Sequence, residues 1–168
     1  MKIISLVKQN KIIAFIFFLL SFFSILNISY SVCQNISYRN KIYDADKILI
    51  SACFLTNSSR SAKMASIEQE EEINRLAENF NLIPWSSPLD VLTGNSYMLE
   101  IFSSGTKETI FLRCGGGLRL KTEFMYQGLT NNAIETFLNI AESDGVTSEE
   151  AFTKIVNKMS QRQKTNDN

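Results

Sequence analysis

Histidine is absent from this chain of 168 residues, and cysteine occurs only three times. Without histidine, neither a Ser-His nor a Cys-His pair can be assembled for nucleophilic catalysis. The cysteines Cys33, Cys53 and Cys114 are 20 and 61 residues apart, a spacing that matches no zinc-binding pattern. The sequence therefore predicts no metal site and no cofactor.

An excess of charge of either sign is also lacking, since 17 basic and 17 acidic residues balance to a net charge of zero. Three of the basic residues, Lys2, Lys8 and Lys11, lie at the N-terminus, which leaves 14 basic against 17 acidic groups in the remainder. A protein that binds nucleic acid needs positive charge to neutralise phosphates. The composition therefore excludes nucleic acid as the expected partner.

Charged residues are missing from the whole stretch between Lys11 and Arg39, and this stretch begins with an apolar run from Ile12 to Leu26. A basic lead followed by an uncharged apolar run engages the translocation machinery, and the lysines stay on the cytoplasmic side. We therefore expect the chain from Val32 onward to lie outside the cytoplasm, in the periplasm or an equivalent extracytoplasmic space.

The apolar run fits both a cleaved signal peptide and a retained single-pass anchor. Its 15 residues reach the upper end of a signal-peptide core, about 7 to 15 residues, and fall short of the ~20 that span a bilayer. Small residues at Ser29 and Ser31 permit cleavage that leaves Val32 as the new terminus. The uncharged stretch continues to Val32, which permits a tilted anchor instead. Cys33 also permits lipidation, but the branched Val32 precedes it where a small residue is required.

We expect three parts along the chain: a signal peptide or anchor at residues 1–31, a single exported domain at residues 32–161, and a disordered tail at residues 162–168. The apolar spacing predicts an α+β fold, with a three-stranded antiparallel meander flanked by N-terminal and C-terminal helices. The segment from Ala45 to Leu55 fits either a helix or a strand, and a polar break follows it at residues 57–61.

Helix caps are predicted at three positions, which are Ser66, Thr130 and Thr147. The first of these helices has an apolar face that includes Ile73 and Leu76. Between the helices, alternation with a period of two predicts strands on both sides of a turn at residues 103–108, and a third strand from residue 118 to residue 126.

The apolar alternation also predicts the register of the first hairpin. Pairing Ile101 with Ile110 places Leu99 opposite Leu112 and forms one apolar face. The opposite face then contains large apolar side chains among charged ones, a composition typical of an interaction patch. These residues are the predicted partner-binding site: Met98, Phe102, Phe111, Arg113, Arg119 and Met125. The alternative is that a terminal helix covers this face as a second core layer.

A disulfide between Cys53 and Cys114 is predicted, because both residues would point into the interface between the Ala45 to Leu55 segment and the sheet. Such a bridge would close a loop of about 60 residues and stabilise the fold by roughly 4 kcal/mol in the chain-entropy model. Cys33 would remain as a free thiol.

Four other signals have a structural and a chemical interpretation. Residues 114–117, Cys-Gly-Gly-Gly, fit a turn better than an oxyanion or phosphate cradle, because no phosphate-loop Lys-Ser/Thr follows. Residues 143–150 resemble a calcium loop but lack its first and last carboxylates, so a connection between helices is expected. The glutamates at residues 68–72 fit a solvated helix face better than a catalytic pair. Trp85 fits a core-edge residue or a binding aromatic.

These observations favour a non-enzymatic binding protein of the cell envelope, such as an immunity protein, an inhibitor or an accessory subunit of an envelope machine. Its partner is expected to be a protein, and it would contact the membrane through the N-terminal segment if that segment is retained. The alternative is a cofactor-free hydrolase that uses carboxylates on a cell-envelope polymer. Two carboxylates in a cleft, roughly 5 to 10 Å apart, would favour the hydrolase.

Overall fold

The computed structural model describes residues 2–54, 57–83, 95–114, 117–121 and 126–166. Four helices and seven strands occur within these ranges. Their bounds, in chain order, are α1 (Lys2–Tyr43), β1 (Lys47–Phe54), β2 (Asn57–Ile67), α2 (Glu70–Asn79), β3 (Leu82–Ile83), β4 (Asn95–Ser103), β5 (Thr106–Cys114), β6 (Leu118–Lys121), β7 (Tyr126–Leu129), α3 (Asn131–Ala141) and α4 (Ser148–Asn166).

The predicted α+β class is confirmed, but the predicted three-stranded meander is wrong. The strands form one seven-stranded sheet in the order β2-β1-β4-β5-β6-β7-β3, and every neighbouring pair is antiparallel. The segment that fitted a helix or a strand is β1, which pairs with β4 far along the chain. The polar residues 57–61 belong to β2 rather than to a break, because β1 supplies a hydrogen-bonding partner that local composition does not reveal.

Several helix ends also differ from expectation. The predicted cap at Ser66 is wrong, since Ser66 lies in β2 and α2 begins after Gln69. The caps at Thr130 and Thr147 are confirmed. The Thr130 hydroxyl accepts from the backbone N–H of Ala133, and Thr147 exchanges reciprocal hydrogen bonds with Glu150. Helix α4 continues to Asn166, so most of the tail expected to be disordered is helical.

The register of the β4–β5 hairpin is shifted by two residues from the predicted one. Leu99 pairs with Ile110 and Ile101 pairs with Glu108. The cause is a tight turn at Ser104 and Gly105, whose φ angles are 47° and 78°, where the sequence predicted a longer loop. Two central residues with positive φ match the twist of a hairpin. A shift of two keeps every side chain on its predicted face.

The helices pack on the face of the sheet that contains Leu99 and Ile110, which we call the inner face. The Tyr97 ring lies 5.2 Å from Phe137 of α3 and 5.5 Å from Phe152 of α4, in edge-on geometry. Apolar side chains from all four helices join the strands in one core cluster. A single core therefore extends from β2 to β3.

Helix α1 has two different halves. The residues from Lys11 to Leu26 are exposed except for the partly exposed Leu19, and their apolar side chains cover every side of the helix. By length and composition, this helix has a span that is apolar enough to cross a membrane. The second half packs on the domain: Ser31 is 3% exposed and Ile42 is fully buried.

Polar side chains of α1 hold the edge of the sheet at β3. The Asn35 amide donates to the Leu82 carbonyl at 3.3 Å, and its oxygen accepts from the Leu82 N–H at 2.7 Å. Arg39 Nε donates to the carbonyl of Phe80 at 2.9 Å. These contacts occupy backbone groups that an edge strand would otherwise present to another chain.

Candidate functional site

The predicted patch lies on one face of the sheet, which we call the outer face because it is opposite the inner face. In the strand ladder, Ser51 of β1, Met98 of β4 and Phe111 of β5 form one row, and Lys47, Phe102 and Lys107 form another. Arg113 and Arg119 pair directly in a third row. Met125 lies outside the described residues.

Part of the outer face is buried. Met98 and Arg119 are 4% and 6% exposed, and the neighbouring Cys53 and Ser96 are also buried. Phe102, Phe111 and Arg113 are half-buried. The structure therefore leaves three of the predicted patch residues with accessible surface, while Met98 and Arg119 cannot form the main contacts of a surface patch.

Charged pairs flank Phe102 on the outer face. Lys47 contacts Glu68, and Lys107 contacts Glu100 at 2.6 Å. The hydrogen bond and charge of Lys47 hold the pKa of Glu68 below its ordinary value. Pairs this exposed stabilise a fold little, so their effect here is to keep the charge around Phe102 balanced.

A small cleft opens beside Phe111, where the pairing of β5 with β6 ends at Leu112 and Leu120. We call it the β5–β6 cleft. Its volume is about 190 Å³. Helix α1 closes one side of it with Tyr38. The lining residues are Tyr38, Glu108, Thr109, Ile110, Phe111, Arg113, Leu120 and Lys121.

The electrostatics of this cleft are set by a contact with α1. Lys41 donates to Glu108 at 2.6 Å, and its ammonium lies 5.1 Å from the centre of the Tyr38 ring. Glu108 is the only carboxylate among the lining residues that the structure describes, and Lys41 compensates its charge. Arg113 and Lys121 add two further positive charges to the lining.

Sequence reasoning found Phe111 and Arg113 but missed the cleft itself. Tyr38 and Lys41 follow the segment 1–31 that the sequence assigned to export, in a stretch for which it predicted no helix, and Glu108 was placed in a turn. No local pattern connects these residues, since Lys41 and Glu108 are 67 residues apart in the sequence.

A comparison with protein-family models, curated proteins and solved structures finds no match to this chain. The geometry of its own residues therefore carries the functional argument.

The predicted disulfide is not formed in the structure, where none of the three cysteines takes part in a disulfide. The ladder places Cys53 opposite Ser96 on the outer face, whereas Cys114 pairs with Leu118 on the inner face. The prediction assumed that β1 packs on top of the sheet, but β1 is part of the sheet. Burial raises the pKa of both Cys53 and Cys114 to about 11, so both thiols stay protonated near neutral pH.

Acidic residues do line an open cleft of about 530 Å³ between β2, α2 and the α3–α4 connection, with Glu68, Glu72 and Asp144 among its walls. Asp144 accepts a hydrogen bond from the Ser66 N–H at 3.1 Å, and Glu68 contacts Lys47. A general acid needs a raised pKa, whereas the pKa of Glu68 is lowered. The direction of this shift does not suit Glu68 as the general acid of such a pair.

The other sequence features that could have indicated chemistry either have a structural role or lie outside the described residues. Residues 143–150 connect α3 to α4, and Glu142 accepts from both the N–H and the hydroxyl of Ser148, which lowers its pKa. Among the described residues, no group of three or more potential ligands could hold a metal ion. Trp85 and the glycines at 115 and 116 lie outside the described residues.

Proposed function

We propose that this protein is a non-enzymatic binding protein of the cell envelope, held at the outer side of the cytoplasmic membrane by a retained N-terminal helix. The observation that carries the proposal is the continuity of α1 through the predicted cleavage position. Ser31 lies within this helix, is nearly buried, and accepts a hydrogen bond from Gln127 at 2.8 Å. Proteases cut most readily in exposed, irregular segments.

The apolar half of α1 supports a membrane location. A soluble helix packs its apolar residues on one side, whereas apolar residues on all sides indicate burial in a core or in lipid. Within the part of the chain that the structure describes, the segment from Ile12 to Leu26 is exposed except for the partly exposed Leu19. From Ile12 to Ser31 the helix is 20 residues long, about 30 Å, which equals the thickness of the hydrocarbon layer.

The orientation follows from charge. Lys2, Lys8 and Lys11 precede the apolar segment, and basic residues stay on the cytoplasmic side. The domain that follows would then face the periplasm or an equivalent space. Because α1 continues into the domain without a linker, the sheet would be held at a fixed orientation close to the membrane.

The accessible part of the outer face is the proposed surface for a protein partner, with Phe102, Phe111 and Arg113 as contact residues. Aromatic and arginine side chains are enriched where interfaces bind most strongly.

Two experiments test this function. The protein should stay in the membrane fraction after alkaline extraction, and a phosphatase fused to its C-terminus should be active. Release into the soluble fraction would contradict the retained anchor, and an inactive phosphatase with an active cytoplasmic reporter would contradict the orientation.

The contact surface is tested by affinity capture from the envelope fraction. Phe102→Ser should reduce recovery of the captured partner, while Val156→Ser, which alters an exposed apolar residue of α4, should not. Equal recovery with Phe102→Ser and the unmodified protein would exclude this surface. Thermal unfolding of both variants separates lost binding from lost folding.

A further inference from the structure

Helix α1 has a second face besides the one that packs on the domain. We propose that this face binds the same face of a second copy of the chain, so that two parallel α1 helices form a left-handed coiled coil. The outer part of this face, which we call the seam, consists of Ser29, Cys33, Ile36, Asn40 and Tyr43. The inference rests on the retained anchor of the proposed function and assigns a partner to the anchor helix itself.

Exposure is the first argument. All five seam residues are exposed, and Ile36 and Tyr43 are 55% and 43% exposed. Ile36 follows Ser31, the end of the proposed membrane span, by five residues, which is about 7 Å along the helix axis. Large apolar side chains on one helix face beyond the span are typical of a surface that binds a protein.

The domain packs on the other side of α1 and leaves the seam accessible. The residues of α1 that contact the domain include Ser31, Asn35, Tyr38 and Ile42. Each of them follows a seam residue by two positions. Two residues correspond to about 200° of rotation around a helix, so the seam lies opposite the domain. Two copies can therefore join through α1 with one domain on each side of the helix pair.

Spacing along the helix indicates the type of contact. The seam residues are separated by four, three, four and three positions, which is the 3.5-residue repeat of a left-handed coiled coil. The same alternation continues toward the N-terminus through Leu26, Phe22, Leu19, Phe15 and Ile12. Because the membrane half of α1 is apolar on every side, the residues from 29 to 43 are the ones that select this face.

Orientation and one polar residue favour a second copy over an unrelated helix. The N-terminal lysines give every copy the same orientation in the membrane, so neighbouring α1 helices are parallel and equivalent residues lie at the same depth. In this repeat Cys33 and Asn40 occupy a positions and Ile36 a d position. A single asparagine at an a position sets the register and the oligomeric state of a parallel coiled coil. Asn40 of one copy would then face Asn40 of the second copy, and Cys33 would face Cys33.

Cys33 allows a direct test with the full chain in its native membrane. Copper phenanthroline takes two electrons from a pair of facing thiols, which release two protons and form a disulfide. The oxidised protein should therefore migrate on a non-reducing gel as a dimer, at about twice 19.1 kDa. Cys33→Ser should lose this dimer.

Packing is tested with two charge variants. Ile36→Asp places a charge within the seam and should abolish cross-linking through Cys33. Ser37→Asp places the same charge at the next exposed position, an e position where charged residues are tolerated, and should leave the yield unchanged. Since both side chains are exposed, thermal unfolding of the domain should be the same in the two variants.

A second comparison excludes random encounters within the membrane. In a chain that carries Cys33→Ser, Leu26→Cys adds a thiol to the repeat and should cross-link. Ser24→Cys adds one about 200° around the helix from Leu26 and should not cross-link. Both positions are exposed and lie in the apolar half of α1, so they differ in the side of the helix that they occupy.

The outcomes separate this proposal from the retained anchor. Cross-linking that survives Ile36→Asp, or that is equal for Leu26→Cys and Ser24→Cys, would overturn the seam. Full-length protein that stays monomeric after oxidation, or that cross-links to a different protein, would also overturn it and would leave the anchor intact. Cross-linked chains that begin at Val32 would contradict the anchor but support the seam, so the mass of the dimer distinguishes the two failures.

Discussion

The hydrogen bond between Ser31 and Gln127 offers a quantitative test of how α1 joins the domain. Both side chains are buried, and the Gln127 amide nitrogen donates to the Ser31 hydroxyl at 2.8 Å. The Gln127 carbonyl oxygen Oε1 is buried and has no hydrogen-bonding partner in the described structure. The Gln127 side chain therefore has a partner for its amide nitrogen but none for its carbonyl oxygen in the described structure.

Removing each partner should have a different effect. Ser31→Ala leaves the Gln127 amide nitrogen without its acceptor, and an unsatisfied buried donor costs about 1 to 3 kcal/mol of unfolding free energy. Gln127→Leu removes the unsatisfied oxygen together with the donor, and the Ser31 hydroxyl can then bond to a carbonyl one turn earlier in α1. We expect Gln127→Leu to be close to neutral.

A double-mutant cycle separates the pair from its surroundings. Adding Ser31→Ala to Gln127→Leu should cost little, so the coupling energy should be about 1 to 3 kcal/mol. Thermal unfolding of the full chain in detergent is the assay, and a loss of 1 kcal/mol should lower Tm by roughly 4 °C for a domain of this size. Additive losses from the two single variants would refute the buried contact.

Three further predictions concern other contacts. Asn35→Ala removes both side-chain hydrogen bonds to Leu82, so exchange of the Leu82 amide hydrogen should become faster, whereas Asn40→Ala on the exposed side of α1 should leave it unchanged. Alkylation near pH 8 should modify the exposed Cys33 first, because the pKa of Cys53 and of Cys114 is raised to about 11. Modification of Cys53 and Cys114 should increase only as the pH rises toward that value. Rapid labelling of all three cysteines at pH 8 would contradict the burial of these two thiols. Thr147→Ala removes the reciprocal cap of α4 and should cost about 1 kcal/mol of unfolding free energy, while Thr153→Ala on the same helix lies outside the cap and should cost much less.

The parts of the fold that the sequence predicts correctly are those set by local patterns. Alternation from Tyr97 onward predicts β4 and β5, and their faces survive the shift in register because the shift is an even number of residues. The Thr147 and Glu150 spacing predicts the cap of α4, since both partners lie within one turn.

The parts that the sequence misses depend on distant partners. β1 is a strand because it pairs with both β2 and β4, and its own composition also suits a helix. The packing of α1 on the domain is also not predictable from local sequence, because its polar side chains bind backbone groups more than 40 residues away. Asn35 and Arg39 follow the apolar run, and only the folded position of Phe80 and Leu82 shows that they bind the backbone there.

The candidate site was predicted in part. Alternation places Met98, Phe102 and Phe111 on the same face, but it cannot show that Met98 is covered while Phe102 keeps accessible surface. The β5–β6 cleft requires Tyr38 and Lys121 to meet across the sheet, which no pattern of spacing predicts.

The central claim is that α1 stays attached to the domain, and the intact mass of the protein isolated from its native envelope tests it most directly. We predict a mass near 19.1 kDa, that of the chain with its N-terminal segment retained. A mass that corresponds to a chain starting at Val32 would show that the apolar half of α1 is removed, and it would contradict the anchored arrangement.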